Sequence, residues 1–132
     1  MNNLIELKNI SKHYLTNKKS IILKKINYKF KKGKIYSLMG PSGSGKSTLL
    51  NLLSLIDRPS SGLITIENND IDSTDSQKND LLRAKKIGII YQQDNLLSDF
   101  TAIENIYLAS LAAGNKKDFA IKKSKNLLRR VG

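Results

Sequence analysis

The most constraining feature of this 132-residue chain is one glycine-rich segment, Gly40-Pro41-Ser42-Gly43-Ser44-Gly45-Lys46-Ser47-Thr48. It contains the pattern G-x-x-x-x-G-K-[ST] in full. A short apolar run over residues 35–39 comes before it, and leucines at helical spacing follow over residues 47–56. A buried-type parallel strand, a glycine loop and a helix in this order predict a P-loop in an α/β protein.

Each residue type in the loop has a physical task. Glycine lets the backbone adopt positive φ and approach a ligand closely, so that the loop amides form a nest for anions. The helix that begins at the loop adds unpaired amides and the positive end of its dipole. Lys46 is expected to reach the β- and γ-phosphates of a nucleotide, and the Ser47 hydroxyl to bind Mg²⁺. The dinucleotide-binding alternative G-x-G-x-x-G fails, because its third glycine is missing here.

Strand signals dominate the rest of the first half. Leu4, Leu7 and Ile10 lie among polar neighbours, and apolar residues alternate over residues 26–30. Residues 31–34 predict a turn and residues 63–66 a further strand, which is followed by a turn at 67–70. A second buried-type strand is predicted over residues 87–91.

Helices are predicted over residues 47–56, 76–86 and about 118–131. The first ends at Arg58-Pro59-Ser60-Ser61-Gly62, since proline cannot continue a helix. Thr101 and Glu104 have the spacing of a capping box, in which each side chain bonds a free amide at a helix start.

Composition narrows the functional classes. The formal charge is +12, which fits a nucleic-acid surface, a patch facing anionic lipid or nucleotide, or a lysine bias in the source genome. Many asparagines and isoleucines with few arginines favour the bias, so no nucleic-acid partner is expected. Cysteine is absent, which excludes disulfides and thiolate metal sites. No apolar run approaches the ~20 residues that span a bilayer, and a soluble chain is predicted.

Four segments together resemble the ATP-binding subunits of ABC transporters. They are the glycine loop with Leu49-Leu50, then residues 57–62, residues 87–92, and residues 95–105 with Asn95-Leu96-Leu97 and Thr101-Ala102-Ile103-Glu104-Asn105. The likeness runs in register from Leu4 to Gly132. It implies a P-loop NTPase fold with an N-terminal antiparallel β-subdomain and the start of an α-helical subdomain. Residues 1–132 would form the N-terminal part of a nucleotide-binding domain that uses ATP and Mg²⁺.

The resemblance also implies roles for residues outside the loop. Tyr14 stands where the family places an aromatic ring that stacks on adenine, although a tyrosine packed on the core is an alternative. Gln92 matches the glutamine that contacts Mg²⁺ and the attacking water, with Gln93 as the alternative. Residues 94–105 match the surface that docks on the membrane subunit.

Tyr91-Gln92 and residues 96–105 are most similar to the lipoprotein-releasing system ATP-binding proteins, with macrolide-export-like and cell-division-associated ATPases as close relatives. That likeness implies permease subunits and a second ATPase copy as partners, at the cytoplasmic face of the inner membrane.

The family's signature segment, Walker B strand and switch histidine have no counterpart in residues 1–132. We therefore expect a truncated chain that by itself folds poorly and does not hydrolyse ATP. A soluble ABC-type ATPase acting on ribosomes or DNA, and a basic binding module with a fortuitous P-loop, are the rival hypotheses.

Overall fold

The computed structural model describes residues 3–15 and 19–132, which form two compact units, Met1–Asn79 and Asp80–Gly132. The elements, in chain order, are β1 (Asn3–Leu15), β2 (Lys19–Lys31), α1 (Lys46–Leu53), β3 (Ser61–Ile66), β4 (Asn69–Asp70), α2 (Ser76–Lys86), α3 (Ala102–Ala112) and α4 (Lys117–Val131).

The first unit contains a four-stranded antiparallel sheet in the order β2-β1-β3-β4. Its buried apolar side chains come from β1, β2, β3 and α1: Leu7, Ile10, Leu23, Leu52, Ile64 and Ile66. The predicted antiparallel β-subdomain is therefore confirmed. Ile64 and Ile66 follow the period-2 alternation of a strand that buries one face, whereas Leu7 and Ile10 are three residues apart because the β1–β2 register shifts between them.

Two features of the sheet follow from local sequence. Glu67 and Asn68 both have positive φ, which lets the backbone turn tightly between β3 and β4, as in two-residue hairpins. The turn predicted at 67–70 is thus confined to Glu67 and Asn68, and Asn69 and Asp70 form the short strand β4 that pairs with β3. Asn9 also has positive φ, and its amide donates to Asn27 Oδ1 at 2.8 Å across an irregular stretch of the β1–β2 ladder.

The predicted parallel strands over residues 35–39 and 87–91 are wrong for this structure. Both segments are irregular, and Ile35 and Ile90 are fully exposed. A parallel strand needs neighbouring strands to pair its backbone hydrogen-bonding groups. Every strand in the described residues belongs to the antiparallel sheet, so neither segment has a partner.

Helix boundaries agree more closely with the sequence. α2 begins and ends as predicted, and α4 differs by one residue at its start. α1 ends three residues before the predicted end, because Leu55 turns the chain with a φ of 59°.

The capping box at α3 is confirmed. The Thr101 amide donates to Glu104 Oε2 at 2.8 Å, and the Thr101 hydroxyl accepts from the Glu104 amide. These bonds satisfy amides at the helix start. The Thr101 hydroxyl, which donates to Glu104 Oε2 at 2.6 Å, and the Thr101 amide lower the pKa of the Glu104 carboxyl.

Candidate functional site

The glycine loop joins α1 directly, with Gly45 as the N-cap residue in the left-handed conformation. Its φ is 87°, and a Cβ at this position would lie 3.0 Å from Leu23 Cδ2 and 3.2 Å from the Ile22 carbonyl oxygen. Both the backbone angle and the close approach of β2 therefore require glycine here. The loop is thus held against the sheet at the point where the helix begins.

Lys46, the first residue of α1, folds its side chain back over the loop. Its ammonium donates to the carbonyl oxygens of Gly40 at 2.8 Å and Pro41 at 2.7 Å. A lysine ammonium carries three donors and a full positive charge. The side chain therefore places that charge inside the loop, where an anion would be bound.

A cleft of about 290 Å³ opens beside this loop. Its lining contains seven of the predicted site residues and one that was not predicted: Tyr14, Ser42, Gly43, Gly45, Lys46, Ser47, Thr48 and, unpredicted, Ile22. The lining combines backbone at positive φ, one ammonium and hydroxyl groups. These are the groups that suit a phosphate chain with its Mg²⁺. The residues present therefore fit a magnesium-bound nucleotide.

Tyr14 lies at the edge of this cleft, near the end of β1. The residue is 40% exposed, so its ring is not buried in the core, and its contact with a nucleotide base stays a prediction. Its hydroxyl donates to Asp57 Oδ2 at 2.9 Å. That hydrogen bond, with partial burial and the Asp57 charge, raises the pKa of Tyr14. The phenol is therefore a neutral hydrogen-bond donor at physiological pH.

Asp57 is the centre of a small charged cluster. The Lys12 ammonium donates to Asp57 Oδ1 at 2.7 Å and to the Arg58 carbonyl at 2.8 Å, and only 9% of the Lys12 side chain is exposed. Partial burial alone would raise the pKa of the Asp57 carboxyl. Hydrogen bonds from Lys12, Tyr14 and the Arg58 amide outweigh burial and hold this pKa below its usual value. Sequence reasoning assigned no role to Lys12 or Asp57, since only the fold brings them together.

The depressed pKa of Asp57 predicts a pH-dependent stability. A carboxylate with a lowered folded-state pKa stabilises the fold above its unfolded pKa of about 3.9, and this contribution is lost as pH falls through the folded value. At pH 5–7 we expect Asp57→Asn to lower the free energy of unfolding by about 1.5–3 kcal/mol, the range for a hydrogen bond to a charged group. The difference from wild type should shrink below pH about 4 in urea titrations. A difference that persists to pH 2 would contradict this origin, and the exposed Asp94→Asn serves as control.

Gln92 belongs to the second unit and lies in an exposed, irregular segment before α3. Its predicted contact with Mg²⁺ and water, and the alternative Gln93, stay predictions. The residues that follow are ordered by Asn105. Its side chain accepts from the Leu97 amide at 2.8 Å and donates to the carbonyls of Leu97, Phe100 and Thr101 at 3.0–3.1 Å. The surface predicted to dock on a membrane subunit therefore has a defined backbone beside α3.

None of the described helices is both long and apolar enough to cross a bilayer.

A glycine loop with this motif that leads into a helix is the local arrangement of a P-loop NTPase. Residues 23–131 match the family model for the ABC transporter. The chain belongs to the ABC transporter family.

Relatives and solved structures agree with this assignment. The lipoprotein-releasing system ATP-binding protein LolD of Rickettsia bellii is 40% identical over 99% of this chain and 58% of its own length. The macrolide export ATP-binding/permease protein MacB of Campylobacter fetus is 39% identical over 98% of this chain and 20% of its own length. The ATP-binding cassette MJ0796, a dimer bound to ADP and Pi, has a TM-score of 0.83 at 34% identity, covering 95% of this chain and 56% of that one. The chain thus spans somewhat over half the length of a LolD protein.

Proposed function

We propose that this chain is the nucleotide-binding part of an ABC transporter subunit that binds MgATP and, in the full-length protein, hydrolyses it to drive a permease. The observation that carries the proposal is the Lys46 ammonium held inside a glycine loop at the start of α1. Support comes from MJ0796, which has the same fold and is bound to ADP and Pi.

Different residues of the cleft bind different parts of the nucleotide. The amides of Gly43 to Thr48 and the Lys46 ammonium bind the phosphate chain, and the Ser47 hydroxyl would hold Mg²⁺. When bound, Mg²⁺ neutralises charge on the phosphates. Tyr14 stacks on the base at the outer end of the same cleft. For Gln92, the resemblance to the family supports a contact with Mg²⁺ and the attacking water, because a neutral amide orients water without competing for its proton.

Assembly is part of the same proposal. Two copies of the subunit act together, in line with the dimeric state of MJ0796. They bind the cytoplasmic side of permease subunits in the inner membrane, as peripheral subunits. Residues 94–105, which Asn105 orders, supply the surface for that contact.

The transported cargo is a lipoprotein, which is released from the inner membrane. The support is the similarity to LolD proteins along nearly the whole chain, at 40% and 45% identity in Rickettsia bellii and Wigglesworthia glossinidia brevipalpis. The competing candidate is a macrolide or peptide exporter, because the MacB relative is similar to almost the same extent.

Transport by the full-length protein with its membrane subunits in proteoliposomes tests this function. We expect ATP to release a lipidated protein into the soluble fraction. A version of the same protein that is anchored by a membrane-spanning helix should stay in the membrane. Lys46→Ala is the matched control and should show no release. ATP-dependent efflux of a macrolide without lipoprotein release would contradict the lipoprotein assignment and favour the exporter.

A further inference from the structure

A buried lysine and an aspartate hold the Tyr14 ring from two sides. Asp57 Oδ2 accepts from the Tyr14 hydroxyl at 2.9 Å and so restrains the outer end of the ring. The Lys12 ammonium lies over one ring face, 4.8 Å from the centroid. We call Lys12 and Asp57, which are joined by a 2.7 Å ion pair, the Tyr14 clamp.

The clamp is anchored to two separate parts of the first unit. Lys12 belongs to β1, while Asp57 and the Arg58 carbonyl that also accepts from Lys12 lie between α1 and β3. The Lys12 side chain is almost fully buried and that of Asp57 is 25% exposed. A charged pair of this kind has little freedom to rearrange, so the position of the ring follows from the fold.

A ring that is restrained at its hydroxyl and covered on one face offers only the opposite face to a ligand. A ligand that stacks on a mobile side chain must order that side chain, which weakens binding. A ring held in advance avoids most of this loss.

We propose that Lys12 and Asp57 are positioning residues that preset Tyr14 for stacking on the nucleotide base through its uncovered face. This inference rests on the proposed function, in which Tyr14 contacts the base. Its consequence is selective: the clamp strengthens binding of a nucleoside triphosphate and leaves binding of the phosphate chain alone unchanged.

A double-mutant cycle in the full-length protein tests the clamp, with MgATP and magnesium tripolyphosphate as the two probes. We expect Lys12→Met to weaken MgATP binding about fivefold, a part of what a base–aromatic stack contributes, and to leave tripolyphosphate affinity unchanged. In a Tyr14→Ala background the same substitution should have no further effect on MgATP, because the ring through which Lys12 acts is gone. Lys12→Arg, which keeps the charge, should restore most of the affinity. Lys8→Met, at an exposed lysine of the same strand, is the control.

A second cycle covers the case in which Lys12→Met impairs folding. Tyr14→Phe keeps the ring and removes the hydroxyl, with its hydrogen bond to Asp57 and its interaction with Thr48, so it should weaken MgATP binding by about twofold, a small part of the stack. In the Tyr14→Phe background Asp57→Asn should have a smaller effect on MgATP affinity than in wild type, because only the lost ion pair with Lys12 can still act on the ring.

The outcomes separate this inference from the proposed function. If the clamp substitutions weaken both probes equally, or act undiminished without the Tyr14 ring or hydroxyl, the clamp is merely structural and the inference fails. If wild type binds neither probe, the proposed function itself fails. If Tyr14→Ala leaves MgATP affinity unchanged while wild type binds both probes, Tyr14 does not contact the base, and the positioning role of Lys12 and Asp57 is wrong as well.

Discussion

Replacing Lys46 with alanine is expected to abolish MgATP binding, with a loss of affinity of at least about 100-fold. The ammonium would contact two phosphate groups, and charge-assisted hydrogen bonds of this kind contribute about 1.5–3 kcal/mol each. No other ammonium lines the cleft among the described residues, so the lost charge is not replaced. Isothermal titration of the full-length protein with MgATP measures the effect.

Hydrogen exchange locates the same effect in the chain. In wild type, MgATP should protect the amides of Gly40 and residues 42–48 (Pro41 has no amide hydrogen), and in the Lys46→Ala variant this protection should disappear. Lys32→Ala, at an exposed lysine outside the cleft, is the matched control and should keep both affinity and protection. Full protection of the loop in the Lys46→Ala variant would contradict the assigned site.

Replacing Gly62 with alanine is expected to destabilise the first unit by about 3–4 kcal/mol. Its φ is 96°, which costs an L-residue about 1–2 kcal/mol. A Cβ there would also lie 2.5 Å from the Asn9 carbonyl oxygen and 2.6 Å from that of Lys8, so the backbone of β1 or β3 must shift. Because this contact joins the two central strands, the shift would disturb the sheet that carries Tyr14. Urea unfolding of the variant measures the loss.

Substitution of Gly33 is the control that separates the cost of a positive φ from the cost of the steric contact. It has a φ of 72° in the turn after β2, and a Cβ there would meet nothing within 4 Å. Gly33→Ala should therefore cost only the conformational term, about 1–2 kcal/mol. Equal losses for Gly33→Ala and Gly62→Ala would show that the close approach of β3 to β1 is unimportant.

The loop residues were predictable because their chemistry is local. Gly45, Lys46 and Ser47 are consecutive in sequence, and the loop and helix bring them together with no help from distant segments. The cap of α3 was predictable for the same reason, since Thr101 and Glu104 are three residues apart.

The strands at residues 35–39 and 87–91 were not predictable from their apolar character. An apolar run shows only that a segment suits a buried sheet, and it does not supply the neighbouring strands that hold it there. Ile35 and Ile90 are fully exposed in the described structure, so the pattern alone did not determine the conformation.

The amino-acid sequence by itself determined the glycine loop at the start of α1, the helices and the alternation of the antiparallel strands, because these depend on neighbours within about one turn or one strand pair. Only the tertiary structure decided that Lys12 and Asp57, 45 residues apart, form an ion pair around Tyr14, and that Ile22 joins the cleft. These contacts between residues far apart in sequence form where β1, β2 and the segment after α1 pack together. No local sequence pattern predicts that packing.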